Sequence, residues 1–151
     1  MKKVVPNIFL QEVARLLKDG KSVRMLIDGQ SMFPFIRGGK DQVEIVPYDG
    51  VSFLPLWSAV FFCWEGQYMI HRYVGTKDGK LLMMGDGNLV RIEVVEPTAV
   101  YGILSIIYHS DGSTQDCSDK TWLNRGKWWY RLRSIRRLLI PLLRRIIDIT
   151  P

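Results

Sequence analysis

A serine that follows a glycine at the end of a predicted strand is the first residue here whose position suits chemistry. Residues 22–28 alternate polar and apolar side chains, as a strand does, and Gly29, Gln30 and Ser31 come directly afterwards. A serine at such a corner can stand clear of the sheet, beside backbone N–H groups that are free to hold an oxyanion. Serine is also common in ordinary turns, so this stretch alone favours a structural role for Ser31.

Two later stretches contain side chains that suit proton transfer. One holds a histidine and the other an aspartate between glycines, and they read His71-Arg72-Tyr73-Val74-Gly75 and Gly85-Asp86-Gly87-Asn88. A histidine titrates near neutrality and can act as a general base without deep burial, and a neighbouring carboxylate can fix its tautomer. The alternatives are a structural histidine on a half-buried strand face and an aspartate that bonds its own backbone in a turn.

The three stretches together, in this order and spacing, resemble the S24/S26 serine peptidases, which include the type I signal peptidases and the self-cleaving repressors. The matching patterns are Gly-x-Ser-Met-x-Pro from Gly29, His-Arg-x-Val-Gly from His71 and Gly-Asp-x-Asn from Gly85, and the resemblance extends from about Val23 to Ile107. It implies a mainly β fold, a coiled antiparallel sheet or partly open barrel. It also implies a serine endopeptidase that cleaves a leader or precursor peptide after small residues.

The resemblance assigns catalytic roles to three residues, with Ser31 as nucleophile, His71 as general base and Asp86 as the third member. The histidine stands where bacterial signal peptidases and the repressors have a lysine, as in the signal peptidases of archaea, the endoplasmic reticulum and spore-formers. The endoplasmic-reticulum type has further aspartates after its Gly-Asp-Asn-Asn pattern, whereas this chain continues to Glu93 without one. The acid that orients the histidine is therefore Asp86, Glu93 or neither.

The predicted oxyanion hole lacks one donor that some signal peptidases have. The backbone N–H of Ser31 is one donor, but Gly29 stands where those relatives place a hydroxyl two residues before the nucleophile. Loss of one donor costs about a hundredfold or more in rate. A second hypothesis is therefore a catalytically silent β module that binds peptides or partners and is anchored by the basic tail.

Length and composition predict a globular chain with one β domain. A chain of 151 residues with 47% hydrophobic and 24% charged residues can bury a sizeable core, which excludes a disordered protein. Cys63 and Cys117 form no ligand pattern, which argues against a zinc site or a disulfide framework, and no cofactor is implied. The sequence shows no secretory signal and no spanning helix, since the longest apolar run, 53–64, is too short, so we expect a cytoplasmic protein.

The elements that must position these residues follow from periodicity and turn signals. A helix is predicted over 7–19, with Asn7 as its cap and Gly20 after its end. Glu65-Gly66 and Asp78-Gly79 predict tight hairpins, and Gly102 predicts a β-bulge. Strands are predicted within 22–28, 42–45, 59–64, 69–74, 81–84 and 100–108.

The last thirty residues differ from the rest in charge, which predicts a division into a β domain over 1–121 and a basic helical segment over 122–151. The segment has eight lysines and arginines against one acid, whereas the first 121 residues have thirteen against fourteen. Pro141 should kink or restart its helix. One apolar face is predicted, made of Leu132, Ile135, Leu139, Leu142, Leu143 and Ile146, with Arg133, Arg137 and Arg144 opposite.

Two roles for this segment remain open from the sequence. A basic amphipathic helix can lie on an anionic membrane surface, which would place the protein on the inner face of the cytoplasmic membrane. The alternative is an ordinary helix that packs on the β domain with its arginines in solvent. Nucleic acid is a less favoured partner because no recognition motif is present.

Overall fold

An antiparallel sheet curled into a half-barrel forms the body of the computed structural model, which describes residues 7–149, with side chains as far as Ile147. The predicted mainly β fold with a helix at each end is confirmed. The start of the chain, where the sequence predicts no secretory signal, lies outside the described residues. The elements are α1 (Asn7–Lys18), β1 (Val23–Leu26), β2 (Gln42–Pro47), β3 (Ala59–Trp64), β4 (Gln67–Lys77), β5 (Lys80–Met84), β6 (Glu93–Val95), β7 (Val100–Tyr108), β8 (Thr114–Asp116), α2 (Lys120–Arg131) and α3 (Arg136–Ile149).

The strands lie in the order β1-β2-β7-β3-β4-β5-β6, each antiparallel to the next, and β8 pairs with β7. Both predicted hairpins are confirmed. Glu65 and Gly66 have φ of 48° and 76°, and Asp78 and Gly79 have φ of 52° and 76°. Positive φ at both central residues gives a turn whose twist matches that of the flanking strands. These two turns fix the register of β3, β4 and β5.

Strand β7 has the irregularity that Gly102 predicts. Phe61 pairs with Gly102 and Phe62 pairs with Val100, which leaves Tyr101 as the extra residue of a bulge. Strands β6 and β8 were not predicted. Each has three residues, which is too short to show alternation in the sequence.

Helix α1 packs on one face of the sheet and is tied to a hairpin. Val13, Ala14 and Leu17 are its buried residues. The Asn7 side chain donates to the carbonyl of Gly66 at 3.2 Å, so it contacts the β3–β4 turn rather than serving as the predicted helix cap. Residues on the opposite face of the sheet form a second core of Leu54, Val60, Phe62, Tyr73, Leu81, Met83, Val95 and Val100.

The C-terminal helices pack against the β body instead of forming a separate segment. Trp122 of α2 belongs to the main core, and Trp129 and Ile140 form a smaller core with Phe33. The helix breaks at Leu132, whose ψ of 10° leaves the helical range, and it continues through Pro141. The helix therefore does not restart at the proline, and the alternative of a kink there stays a prediction.

The predicted apolar face is divided between the domain and solvent. Leu139 and Leu143 pack inward, whereas Leu132, Ile135 and Leu142 are exposed. Among the described residues no helix is long and apolar enough to cross a membrane.

Candidate active site

The turn after β1 holds Ser31 between two anchored residues. The N–H of Phe33 donates to the carbonyl of Gln30 at 3.1 Å, and the N–H of Ile36 donates to that of Met32 at 3.0 Å. Met32, Phe33 and Ile36 are buried, while Ser31 is exposed. The buried neighbours therefore fix the backbone of a serine whose side chain is on the surface.

The Gly85–Asn88 loop brings this turn against the histidine of β4. The carbonyl oxygen of Ser31 accepts the N–H of Gly87 at 2.8 Å. A Cβ at Gly85 would lie 2.6 Å from that carbonyl oxygen and 3.0 Å from Nε2 of His71. Only glycine fits such a close approach, so the backbone of Ser31 and the histidine ring are neighbours across Gly85. The expectation that Ser31 Oγ lies within hydrogen-bond reach of the ring stays a prediction.

His71 is buried, and Glu93 is the acid that contacts it. The ring is 2% exposed and packs edge-to-face on Phe62, with 5.9 Å between centroids. Its Nδ1 lies 2.6 Å from Oε1 of Glu93, which is fully buried on β6, although the two atoms do not meet the angular geometry of an ordinary hydrogen bond. Of the acids that the sequence left open, Glu93 lies at the histidine.

Asp86 has a different partner, which corrects its expected place beside His71. Its carboxylate accepts Nε and Nη2 of Arg72 at 2.8 and 2.7 Å, and both side chains are buried. Arg72 also donates from Nη1 to the carbonyl of Trp57 at 2.7 Å. Successive residues of β4 point to opposite faces, so an acid that meets Arg72 lies on the other side of the strand from the histidine. Asp86 therefore holds the Gly85–Asn88 loop against β4.

Asn88 places a buried amide beside the same point at Gly85. Its Nδ2 would be 2.8 Å from a Cβ at that glycine, which also neighbours Ser31 and His71. Within the described part of the chain Nδ2 is buried and has no hydrogen-bond partner. A buried donor that lacks any partner costs about 1–3 kcal/mol, so we expect this amide to bind a water molecule or a ligand group. In the sequence, Asn88 is the last residue of the Gly-Asp-x-Asn pattern, but the sequence alone assigns it no role.

The helix α3 supplies the residue that holds this loop from outside. Arg136 is 1% exposed, and its Nη1 donates to the carbonyl oxygens of Gly85 at 3.2 Å and Asn88 at 2.9 Å. Burial lowers the pKa of its guanidinium below the usual value. The Trp129 indole N–H donates to the backbone carbonyl of Asp86 at 2.7 Å. The pattern of charges in the sequence does not distinguish the buried Arg136 from the exposed arginines near it.

The helix α2 packs directly on Arg72. The guanidinium lies 4.5 Å from the ring centroid of Trp122 and 4.8 Å from that of Phe35. A Cβ at Gly126 would overlap it, so this glycine is required for the close approach. The pair of Arg72 and Asp86 is thus enclosed by the turn, the loop and the helix together.

No family model matches this chain, and no curated protein matches it. The geometry therefore defines the class of site: an exposed serine in a fixed turn, next to a buried histidine that has a carboxylate at its other nitrogen.

Proposed function

We propose that this protein is a serine endopeptidase of the signal-peptidase-like type, with Ser31 as nucleophile and His71 as general base. One observation carries the proposal. Three segments that are distant in sequence meet at Gly85, where the serine backbone and Nε2 of the histidine are neighbours. The Glu93 carboxylate behind the ring adds the third group that a serine nucleophile with a histidine base requires.

In the proposed reaction, Ser31 Oγ forms a bond to the scissile carbonyl carbon while its proton passes to Nε2 of His71. The protonated ring then gives that proton to the leaving amine as the carbon–nitrogen bond breaks. Water, deprotonated by the same ring, releases the acyl group and restores the serine. Glu93 stabilises the imidazolium that forms in both halves of the reaction.

The oxyanion is held in this proposal by two N–H donors. One is the backbone N–H of Ser31, and the other is the side-chain amide of Asn88, which is buried and unpaired beside the serine. The second donor takes the place of the hydroxyl that Gly29 lacks. A fixed donor that has no other partner costs little reorganisation when charge develops on the carbonyl oxygen.

The proposed substrate is a leader or precursor peptide that is cleaved after small residues. An extended peptide can add to an exposed sheet edge through main-chain hydrogen bonds. No metal or cofactor takes part in the proposed reaction.

A fluorophosphonate probe, which labels activated serines, tests the mechanism. We expect labelling of the wild-type protein, none of Ser31→Ala and a strong loss in His71→Ala. Ser134→Ala is the matched control because Ser134 is an exposed serine away from the site. A wild-type protein that binds extended peptides but is never labelled would instead support the catalytically silent module. Labelling that persists in Ser31→Ala would remove the serine from the mechanism.

We also propose that the outer surface of α2 and α3 lies on an anionic membrane. We call this surface the outer helix face; its apolar residues, spaced by three or four, are Trp128, Leu132, Ile135, Leu138 and Leu142, all at least 42% exposed. Exposed arginines surround them at positions 125, 131, 133, 137 and 145. Apolar side chains flanked by cations suit the boundary between headgroups and acyl chains. A second copy of this chain would bring like charges together, which disfavours a dimer through this face.

Vesicle co-sedimentation tests the membrane proposal. Leu138→Ser with Leu142→Ser should abolish binding to vesicles that contain phosphatidylglycerol, and added salt should weaken wild-type binding because it screens the arginines. Val51→Ser with Phe53→Ser is the control, since these residues are 89% and 86% exposed on another surface. Equal binding to neutral and anionic vesicles, or no binding at all, would contradict the proposal.

A further inference from the structure

A recess of about 260 Å³ lies beside the turn that carries Ser31. It is formed between the turn that carries the serine and the last part of α3, and its lining includes Gln30, Phe33, Arg37, Lys40, Arg144 and Ile147. Gln30 and Phe33 are joined by a backbone hydrogen bond of 3.1 Å that spans the serine. A ligand in the recess therefore contacts residues of the turn on both sides of the proposed nucleophile in the sequence.

The recess is cationic, and one of its cations has a neighbour outside it: Nη2 of Arg37 donates to Oγ of Ser110 at 3.4 Å. Within residues 7–147 none of Arg37, Lys40 and Arg144 forms an ion pair, and no acid lines the recess. Asp41 lies close in sequence but is fully buried, and its Oδ2 accepts the backbone N–H of Arg37 at 2.7 Å and lies 3.3 Å from Nδ1 of His109. Among the described side chains, Lys40 and Arg144 are thus available to an anion from outside, and Arg37 adds its charge beside them.

The recess also has an apolar wall, which orders one of the cations. The Arg144 guanidinium lies 5.7 Å from the ring centroid of Phe33, and Ile147 lines the same side. An arginine over an aromatic ring loses less conformational freedom when it binds a carboxylate in its planar fork. The Gln30 amide adds a neutral donor next to the serine.

We propose that this recess binds a carboxylate of the substrate, so that the enzyme selects peptides with an acidic group close to the scissile bond. The inference rests on the proposed function and specifies its substrate class. The carboxylate belongs to an aspartate or glutamate side chain or to a free C-terminus. Because Gln30 lines the recess and precedes Ser31 in the chain, the acidic group lies close to the cleaved bond.

Peptide libraries give the direct test. Each library has an Ala-x-Ala core with glutamate, glutamine or lysine fixed at one flanking position, and one arm carries a C-terminal amide in place of the free acid. Cleavage by the wild-type protein is read by mass spectrometry, and binding to Ser31→Ala is read by fluorescence anisotropy. We expect glutamate at one position to exceed glutamine by about tenfold in both readouts, which corresponds to about 1.4 kcal/mol.

Variants of the recess separate this contact from general attraction to a basic protein. Arg144→Glu with Lys40→Glu should reverse the preference from glutamate to lysine at that position. Arg145→Glu with Lys77→Glu makes the same charge change at exposed residues that do not line the recess, and it should leave the preference unchanged. Sensitivity to the C-terminal amide alone would assign the recess to a free C-terminus.

The outcomes also distinguish the recess from the proposed chemistry. Glutamate-selective binding to Ser31→Ala without any cleavage by the wild type would support the recess and contradict the peptidase. Cleavage that depends on Ser31 but ignores glutamate, or that changes equally in both sets of charge variants, would overturn the recess and leave the peptidase intact.

Discussion

Glu93 and Asp86 are both buried carboxylates near β4, yet they contact different neighbours. Glu93 lies at the Nδ1 of His71, whereas Asp86 binds Arg72 through both oxygens. The sequence predicted that an acid orients the histidine but could not choose between these two acids. The choice depends on which face of β4 each carboxylate contacts. The three-residue strand that presents Glu93 had no signal of its own.

Substitution of the two acids should therefore have different effects. Glu93→Gln should lower kcat by up to about 10⁴-fold, the cost of replacing the orienting acid by an amide in a serine triad. Asp86→Asn should mainly lower the free energy of unfolding, by about 3–5 kcal/mol, because it leaves the Arg72 charge buried and unpaired. Kinetics and urea denaturation measure the two effects.

Controls for this comparison come from the histidine and from two lysines. His71→Ala should remove activity, since the base transfers the proton. Lys77→Ala and Lys80→Ala should not, since both side chains are exposed at the β4–β5 turn. An Asp86→Asn protein that is as stable as wild type but loses activity as completely as His71→Ala would contradict the separation of roles.

The unpaired amide of Asn88 gives a second prediction for single residues. Asn88→Ala should lower kcat by about 10²–10³-fold with little change in KM, because an oxyanion donor acts on the transition state rather than on the bound substrate. Asn124→Ala, an exposed asparagine of α2, is the control. A rise in KM with kcat unchanged would show that Asn88 contacts the substrate in its ground state instead.

Among the elements, the Gly85–Asn88 loop connects three other parts of the fold. It contacts the Ser31 turn through Gly87, β4 through Asp86, and α3 through Arg136. Local sequence predicted the hairpins, because their turn residues have a strong preference for positive φ. It could not predict that α3 holds this loop, because that contact depends on a helix break at Leu132 that no proline or glycine marks.

A substitution at Gly85 tests whether activity requires the close approach of the Gly85–Asn88 loop to the Ser31 turn. In Gly85→Ala the new Cβ would have to displace the Ser31 carbonyl, which is backbone and cannot rotate away. A shift of about 1 Å in the nucleophile costs about a hundredfold in rate, so we expect at least that loss of kcat. Gly75→Ala is the matched control in β4, where the nearest atom to a new Cβ is 3.9 Å away. Equal activity of the two variants would show that the approach at Gly85 has no catalytic importance.

At the scale of the whole molecule, the basic tail has two surfaces with different surroundings. Its inner surface closes the core through Trp122 and Trp129, and its outer surface presents apolar residues and arginines to solvent. The charge count predicted a basic surface on this segment, but it could not show that Trp122 and Trp129 pack on the β body. Trp122 and Trp129 are buried against the β body, and the composition of the segment does not indicate this contact.

Deletion of residues 122–151 should therefore unfold the protein or leave it strongly destabilised, and Cys117 can report this change. The thiol is buried beside Trp122 in the main core, and burial raises its pKa to about 12. Because the thiolate is the reactive form, Cys117 should resist a thiol reagent at pH 8 in the native protein, where only the half-buried Cys63 reacts. Truncation should make both thiols react at the rate seen in denaturant.

A truncated chain that keeps Cys117 protected and melts as cooperatively as the full chain would show that the β body folds without its helices. Since truncation removes both surfaces at once, only the point variants of the outer helix face can assign membrane binding to it.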